Sequence, residues 1–142
     1  MAAKISPSHE LEDGILHIPS QMKYTEVIQY LKTYKNDIKQ LYIKDRVEGM
    51  KKILKEIERL VNLEFIEIKR CDIGLDMDKR NFTEIFKGIF DRCKKLKQII
   101  YESTDRHLFG YIDFKTMIKK RGSTVVEIGV KTESLFRRDS LK

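Results

Sequence analysis

The sequence predicts an α/β fold of the solenoid kind: about five short parallel strands in sequential order, with the intervening helices all on the convex side. Three observations predict it. Strand-like and helix-like segments alternate along the chain, the strand-like segments carry polar or charged residues at alternate positions, and the strands share a self-similar apolar frame. At 142 residues and 41% hydrophobic, the chain is the size of one domain and has ample material for one core.

Residues 1–12 show no apolar period and are expected to be a flexible or capping segment. They have neither the apolar core of a secretion signal nor the Arg-rich, acid-poor pattern of a transit peptide. The first strand is predicted from Ile15 to Ile18, and a weak helical stripe follows at Tyr24, Val27, Ile28 and Leu31. Gln40 to Lys44 reads as the second strand. After it, Val47, Met50, Ile53, Leu54, Ile57, Leu60 and Val61 recur at intervals of three and four, with Lys51, Lys55, Glu58 and Arg59 on the opposite side, which predicts an amphipathic helix. Phe65 to Lys69 is the third strand. It is followed by an insertion, Gly74 to Arg80, and by a helix whose apolar face is Phe82, Ile85, Phe86, Ile89, Phe90 and Cys93. Gln98 to Glu102 forms the fourth strand, Tyr111, Phe114, Met117 and Ile118 mark a fourth helix, and Thr124 to Lys131 reads as the fifth strand. Residues 134–142 are expected to be a basic C-terminal tail, leaving 13–133 as the folded domain.

Strands joined through a helix run parallel, because a hairpin cannot connect them. A doubly wound sheet would bury both strand faces, whereas a solenoid leaves alternate residues in water. Tyr42, Lys44, Glu67 and Lys69 occupy those alternate positions, and burying their charges under a second helix layer would be costly. One face is therefore expected to be wet.

Positions 1, 4 and 6 of the shared frame are apolar, and position 9 follows the strand: Ile38, Leu41, Ile43 and Arg46, then Leu63, Ile66, Ile68 and Cys71, then Leu96, Ile99, Tyr101 and Thr104. Val125, Ile128, Val130 and Glu133 make another copy, and Asp13, Leu16, Ile18 and Gln21 a degenerate first one, as expected of end units. The copies start at residues 13, 38, 63, 96 and 125, spaced 25, 25, 33 and 29 residues apart. Leu63, Ile66, Ile68, Cys71 and Ile73 fill the pattern L-x-x-L-x-L-x-x-N/C-x-L throughout. The chain therefore resembles the leucine-rich repeat family, closest to its ribonuclease-inhibitor-like type, over roughly residues 13–133. Arg46, Thr104, Glu133 and Gln21 depart from the Asn or Cys preferred at position 9, so irregular turns are expected there.

The resemblance implies a non-catalytic module that binds another protein on its concave strand face, as an adaptor or substrate receptor. The columns of that face follow from the frame. Ile15, Gln40, Phe65, Gln98 and Glu127 form one, and His17, Tyr42, Glu67, Ile100 and Gly129 the next. Pro19, Lys44, Lys69, Glu102 and Lys131 form the third. The residues expected to bind the partner are Tyr42, Lys44, Phe65, Glu67, Lys69, Gln98, Ile100, Glu102, Glu127 and Lys131, with Tyr42, Phe65 and Ile100 as outward apolar anchors bordered by charge.

The charge balance, 29 Lys and Arg against 22 Asp and Glu for a net +7, supplies an alternative. Lys44, Lys69 and Lys131 would form a basic stripe for nucleic-acid phosphates, although Glu67, Glu102 and Glu127 interrupt it. At the end of the chain, Arg137, Arg138 and Ser140 match the R-R-x-S pattern of basophilic kinase substrates, with Ser140 as acceptor. A third reading, a flavodoxin-like or receiver-like domain with a ligand pocket at the strand ends, draws on Asp45 and Asp72, each placed after a strand. Sequential strand order distinguishes the repeat stack from that pocket-bearing fold.

Catalysis draws little support from the residues. His9, His17 and His107 are isolated, and no metal-spaced Cys/His cluster, phosphate loop or nucleophile elbow occurs. A helix cap explains Thr104 and Asp105 beside His107, and solvation explains Asp76 and Asp78. Cys71 and Cys93 are expected to be buried free thiols. No catalytic residue, metal or cofactor is assigned, no apolar run is long enough to span a bilayer, and the expected setting is intracellular and cytoplasmic.

Overall fold

The computed structural model describes residues 11–46, 48–71, 77–103, 111–120, 127–132 and 135–140. Within them the order is β1 (Leu11–Glu12), β2 (Ile15–His17), α1 (Tyr24–Thr33), β3 (Gln40–Lys44), α2 (Met50–Ile57), β4 (Phe65–Lys69), α3 (Lys79–Arg92), β5 (Gln98–Ser103), α4 (Tyr111–Lys120), β6 (Glu127–Thr132) and β7 (Leu135–Ser140). All seven strands form one sheet in sequential order. β2 to β6 run parallel, while β1 and β7 fold back antiparallel onto the two ends.

Every parallel pair has the same register. Leu16, Leu41, Ile66, Ile99 and Ile128 pair in one row, and Ile43, Ile68, Tyr101 and Val130 in another. The Gly14 carbonyl accepts from the Lys39 and Gln40 amides (2.7 and 2.9 Å), that of Lys39 from Glu64 and Phe65 (2.7 and 3.1 Å), and that of Glu64 from Lys97 and Gln98 (2.8 and 3.3 Å). Three strand starts thus share one hydrogen-bond pattern, which fixes each unit's alignment on its neighbour.

Because each connection leads to the adjacent strand in the same direction, successive helices lie on one face of the sheet. α1 packs on α2, α2 on α3 and α3 on α4. Leu41, Ile43, Ile66 and Ile68 point into this layer and are at most 1% exposed. Tyr42 and Glu67 between them are only half-buried and Lys44 is exposed, so the burden of desolvating the charges is avoided. The sheet has no reversal of strand order among the described strands, so the switch point that a doubly wound pocket requires is missing from it.

The core is continuous from Leu16 to Ile128. Toward its later half it becomes aromatic: Phe86 meets Phe114 edge-on at 5.1 Å, and Phe82 meets Tyr101 edge-on at 5.6 Å, the geometry that ring quadrupoles favour. α3 begins where the Asp78 carboxylate accepts a hydrogen bond from the Asn81 amide at 2.8 Å, a capping contact. Asp78, Lys79 and Arg80, expected within the insertion, are therefore the cap and first turn of α3. Gly74 to Asp76 lie outside the described residues.

The structure differs from expectation elsewhere too. Val61, expected on the apolar stripe of α2, is 49% exposed because the helix ends at Ile57. Residues 135–140, expected in a tail, form β7 and pair with β6. Leu11 and Glu12, from the first segment, pair back antiparallel onto β2, and residues 1–10 lie outside the described residues. A backbone ladder asks for no apolar alternation, so neither end strand carries the pattern that revealed the others.

Arg46, at position 9 of its unit, turns inward. It is 5% exposed, and its guanidinium donates to the Pro19 carbonyl (2.9 Å) and to the Met22 carbonyl, both in the loop of the preceding unit. Burial pushes its pKa below the ordinary arginine value, yet a guanidinium remains charged in proteins.

Candidate functional site

The helix-free face of the sheet carries the three columns written from the frame. Ile15, Gln40, Phe65, Gln98 and Glu127 are register partners, as are His17, Tyr42, Glu67, Ile100 and Gly129. Lys44, Lys69, Glu102 and Lys131 form the third row, while Pro19 lies beyond the end of β2.

Exposure along the central column is graded. His17 is exposed, Tyr42 and Glu67 are half-buried, and Ile100 and Gly129 are buried. Ile100 is only 3% exposed, so its expected role as an outward anchor is corrected. Alternation decides which face a side chain takes but not what lies over that face, and at β5 and β6 this row is covered.

At the other end of the sheet three rings make a contiguous strip. His17 stacks on Tyr42 with centroids 4.4 Å apart and planes 12° from parallel, and Tyr42 leans on Phe65 at 5.2 Å and 45°. The Tyr42 hydroxyl donates to Gln40 Oε1 at 3.1 Å, fixing the ring's outer edge. Beside the strip lies a depression of about 230 Å³ lined by His17, Ile18, Tyr42, Ile43, Lys44 and Glu67. The frame placed His17 next to Tyr42, and the stacking of adjacent rings in one column was the signal for including it. Sequence reasoning left it out of the binding set.

The charges beside the strip alternate in sign. Lys69 Nζ lies 3.7 Å from Glu67 Oε1, so the lysine column is partly neutralised locally and is no unbroken track for phosphates. Past the strands, Arg70 donates to both carboxylate oxygens of Asp45 at 2.7 and 3.2 Å. That hydrogen bond holds the Asp45 carboxyl below its ordinary value and raises the Arg70 guanidinium. Both residues adopt left-handed backbone angles (φ 55° and 52°) at matching points of adjacent units. Asp45, the receiver-like candidate, is thus committed to an ion pair, and Asp72 lies outside the described residues.

Gln98 and Glu102 are half-buried on the same face. Glu127 and Lys131 hold their register positions in β6, and Ser140 ends β7 opposite Glu127. A second cavity of about 280 Å³, past the carboxyl ends of β2 and β3, is lined by Ser20, Gln21, Met22, Lys23, Asp45, Arg46 and Glu48. Its mixed charge and the internal hydrogen bonds of Arg46 give it no evident ligand preference.

Both thiols are buried. Desolvation pushes Cys71 up to about 11 and Cys93 up to about 12, far from the thiolate form a nucleophile needs. Among the described residues no group of three or more His, Cys, Asp or Glu could hold a metal ion, and no helix is long and apolar enough to cross a membrane. His9, Thr104, Asp105 and His107 lie outside the described residues. No protein-family model, curated protein or solved structure matches the chain.

Proposed function

We propose that the chain is a leucine-rich-repeat-type interaction module that binds another protein through the helix-free face of its sheet, in an adaptor or substrate-receptor role. The observation that carries this reading is the His17, Tyr42 and Phe65 strip. Aromatic rings held rigidly by neighbours, beside a shallow depression and rimmed by Lys44, Glu67 and Lys69, are the chemistry that protein interfaces use for anchoring. The repeated spacing of the frame and the matching hydrogen bonds at Gly14, Lys39 and Glu64 support a repeat architecture. The partner's footprint centres on β2 to β4 and extends toward Gln98 and Glu102.

Affinity capture with the full chain tests the reading. A Tyr42→Ala/Phe65→Ala variant removes two anchors from partly solvated positions, and Ile100 stays intact because its truncation would disturb a buried site. The expected result is loss of the captured protein with an unchanged melting transition. Recovery of the same partner in equal amount by the folded variant would remove this face from consideration, and capture of nucleic acid that declines steeply with salt would favour the basic-stripe reading.

A further inference from the structure

We infer that Ser140 is a phosphorylation switch: a basophilic serine kinase modifies it, and the phosphate, set opposite Glu127, loosens β7 from the end of the sheet. Arg137 and Arg138 stand three and two residues before Ser140, and Leu141 follows it. Paired arginines meet acidic groups on such kinases, with serine as acceptor. β7 is the last strand of the sheet and, among the described strands, pairs with β6 only, so it can detach in the extended form a kinase binds without disturbing the parallel core.

The sequence of β7 makes it a weakly held strand. Its register pairs Asp139 with Ile128 and Arg137 with Val130, and Arg137, Arg138, Asp139 and Ser140 make up four of its six residues. Such a sequence has little apolar surface to offer. Ser140 pairs directly with Glu127. On modification the γ-phosphoryl group of ATP passes to Ser140 Oγ: the new Oγ–P bond forms, the bond to the departing ADP breaks, and the hydroxyl proton goes to the kinase's carboxylate base. The product carries a charge of about −2 directly across from a carboxylate, an arrangement that destabilises strand pairs.

The test uses the full chain with the catalytic subunit of a cAMP-dependent protein kinase and Mg-ATP, peptide mapping of the phosphate, and hydrogen exchange over residues 127–140. Phosphate is expected on Ser140 and absent from the Ser140→Ala variant. Exchange of the β6 and β7 amides is expected to rise about three- to tenfold in the wild type. In Glu127→Gln, measured against its own unphosphorylated form, the rise is expected to be at most half as large. An unmodified Ser140, a phosphate that leaves exchange unchanged, or an equal rise in Glu127→Gln would each overturn the proposal.

Discussion

Replacing Arg46 with alanine should weaken the fold more than removing any exposed charge. The side chain is 5% exposed and ties the loop of one unit to the next through the Pro19 and Met22 carbonyls. A hydrogen bond from a charged donor contributes roughly 1.5–3 kcal/mol. Two such bonds set a ceiling near ~6 kcal/mol. Against this stand the desolvation of the guanidinium, and its Nε, which is buried without a hydrogen-bond partner among the described residues. Pro19 and Met22 are themselves only half-buried, so water can reach their freed carbonyls. The net loss is therefore about 2–4 kcal/mol, which would lower the melting temperature by roughly 5–15 °C in a chain of this size. Urea unfolding followed by circular dichroism reads the change directly. Arg46→Lys keeps the charge but not the fork, and should recover less than half of it. A midpoint for Arg46→Ala within about 0.5 kcal/mol of wild type would refute the view that this arginine links the two units.

Gly49 precedes α2 at φ 78°, and a Cβ there would collide with the Tyr24 side chain. Gly49→Ala should destabilise by roughly 2 kcal/mol or more, from backbone strain and overpacking together, as read by thermal melting. Cys71 and Cys93 should resist a thiol reagent at neutral pH in the folded chain and react fully in denaturant, because their pKa values are raised from 9.0 to about 11 and about 12. The sign for stability follows from the same shifts. Both thiols favour the folded state below the ordinary value of 9.0, and that contribution falls as pH rises from there through about 11 and 12. The Asp45–Arg70 pair runs the other way: its depressed carboxyl contributes above the ordinary aspartate value and loses that contribution on acidification. Its exposure makes the effect small, and Arg70→Ala should leave the melting temperature nearly unmoved.

The parallel core was legible because its strands repeat one inward pattern, even though the spacing varies from 25 to 33 residues. Ile38, Leu41 and Ile43 recur as Leu63, Ile66 and Ile68, and aligning the two sets gives the observed register, whereas a one-residue slip would turn one set to solvent. The three helix-free columns follow from that register without further information. The end strands were not legible by the same means. β7 contains Arg137, Arg138 and Asp139 where the other strands alternate, and what recruits it is the unpaired backbone edge of β6.

Arg46 shows a second limit of the one-dimensional frame. Position 9 is filled by Cys71 in the third unit and by Arg46 in the second, residues that share neither size nor charge. Both are nevertheless buried, at 1% and 5% exposure. The frame identifies a place where the chain turns under the sheet and loop carbonyls need donors. It does not identify which donor. A long guanidinium satisfies the need by reaching back to the preceding unit, while the Cys71 thiol donates to the Lys69 carbonyl two residues away at 3.4 Å. Arg46 ties its unit to the preceding one through two side-chain hydrogen bonds, whereas Cys71 meets the preceding unit at the Arg46 backbone. Replacing Arg46 should therefore reduce cooperativity at the β2–β3 end, and Cys71→Ala, which removes a weaker thiol contact, should do so less.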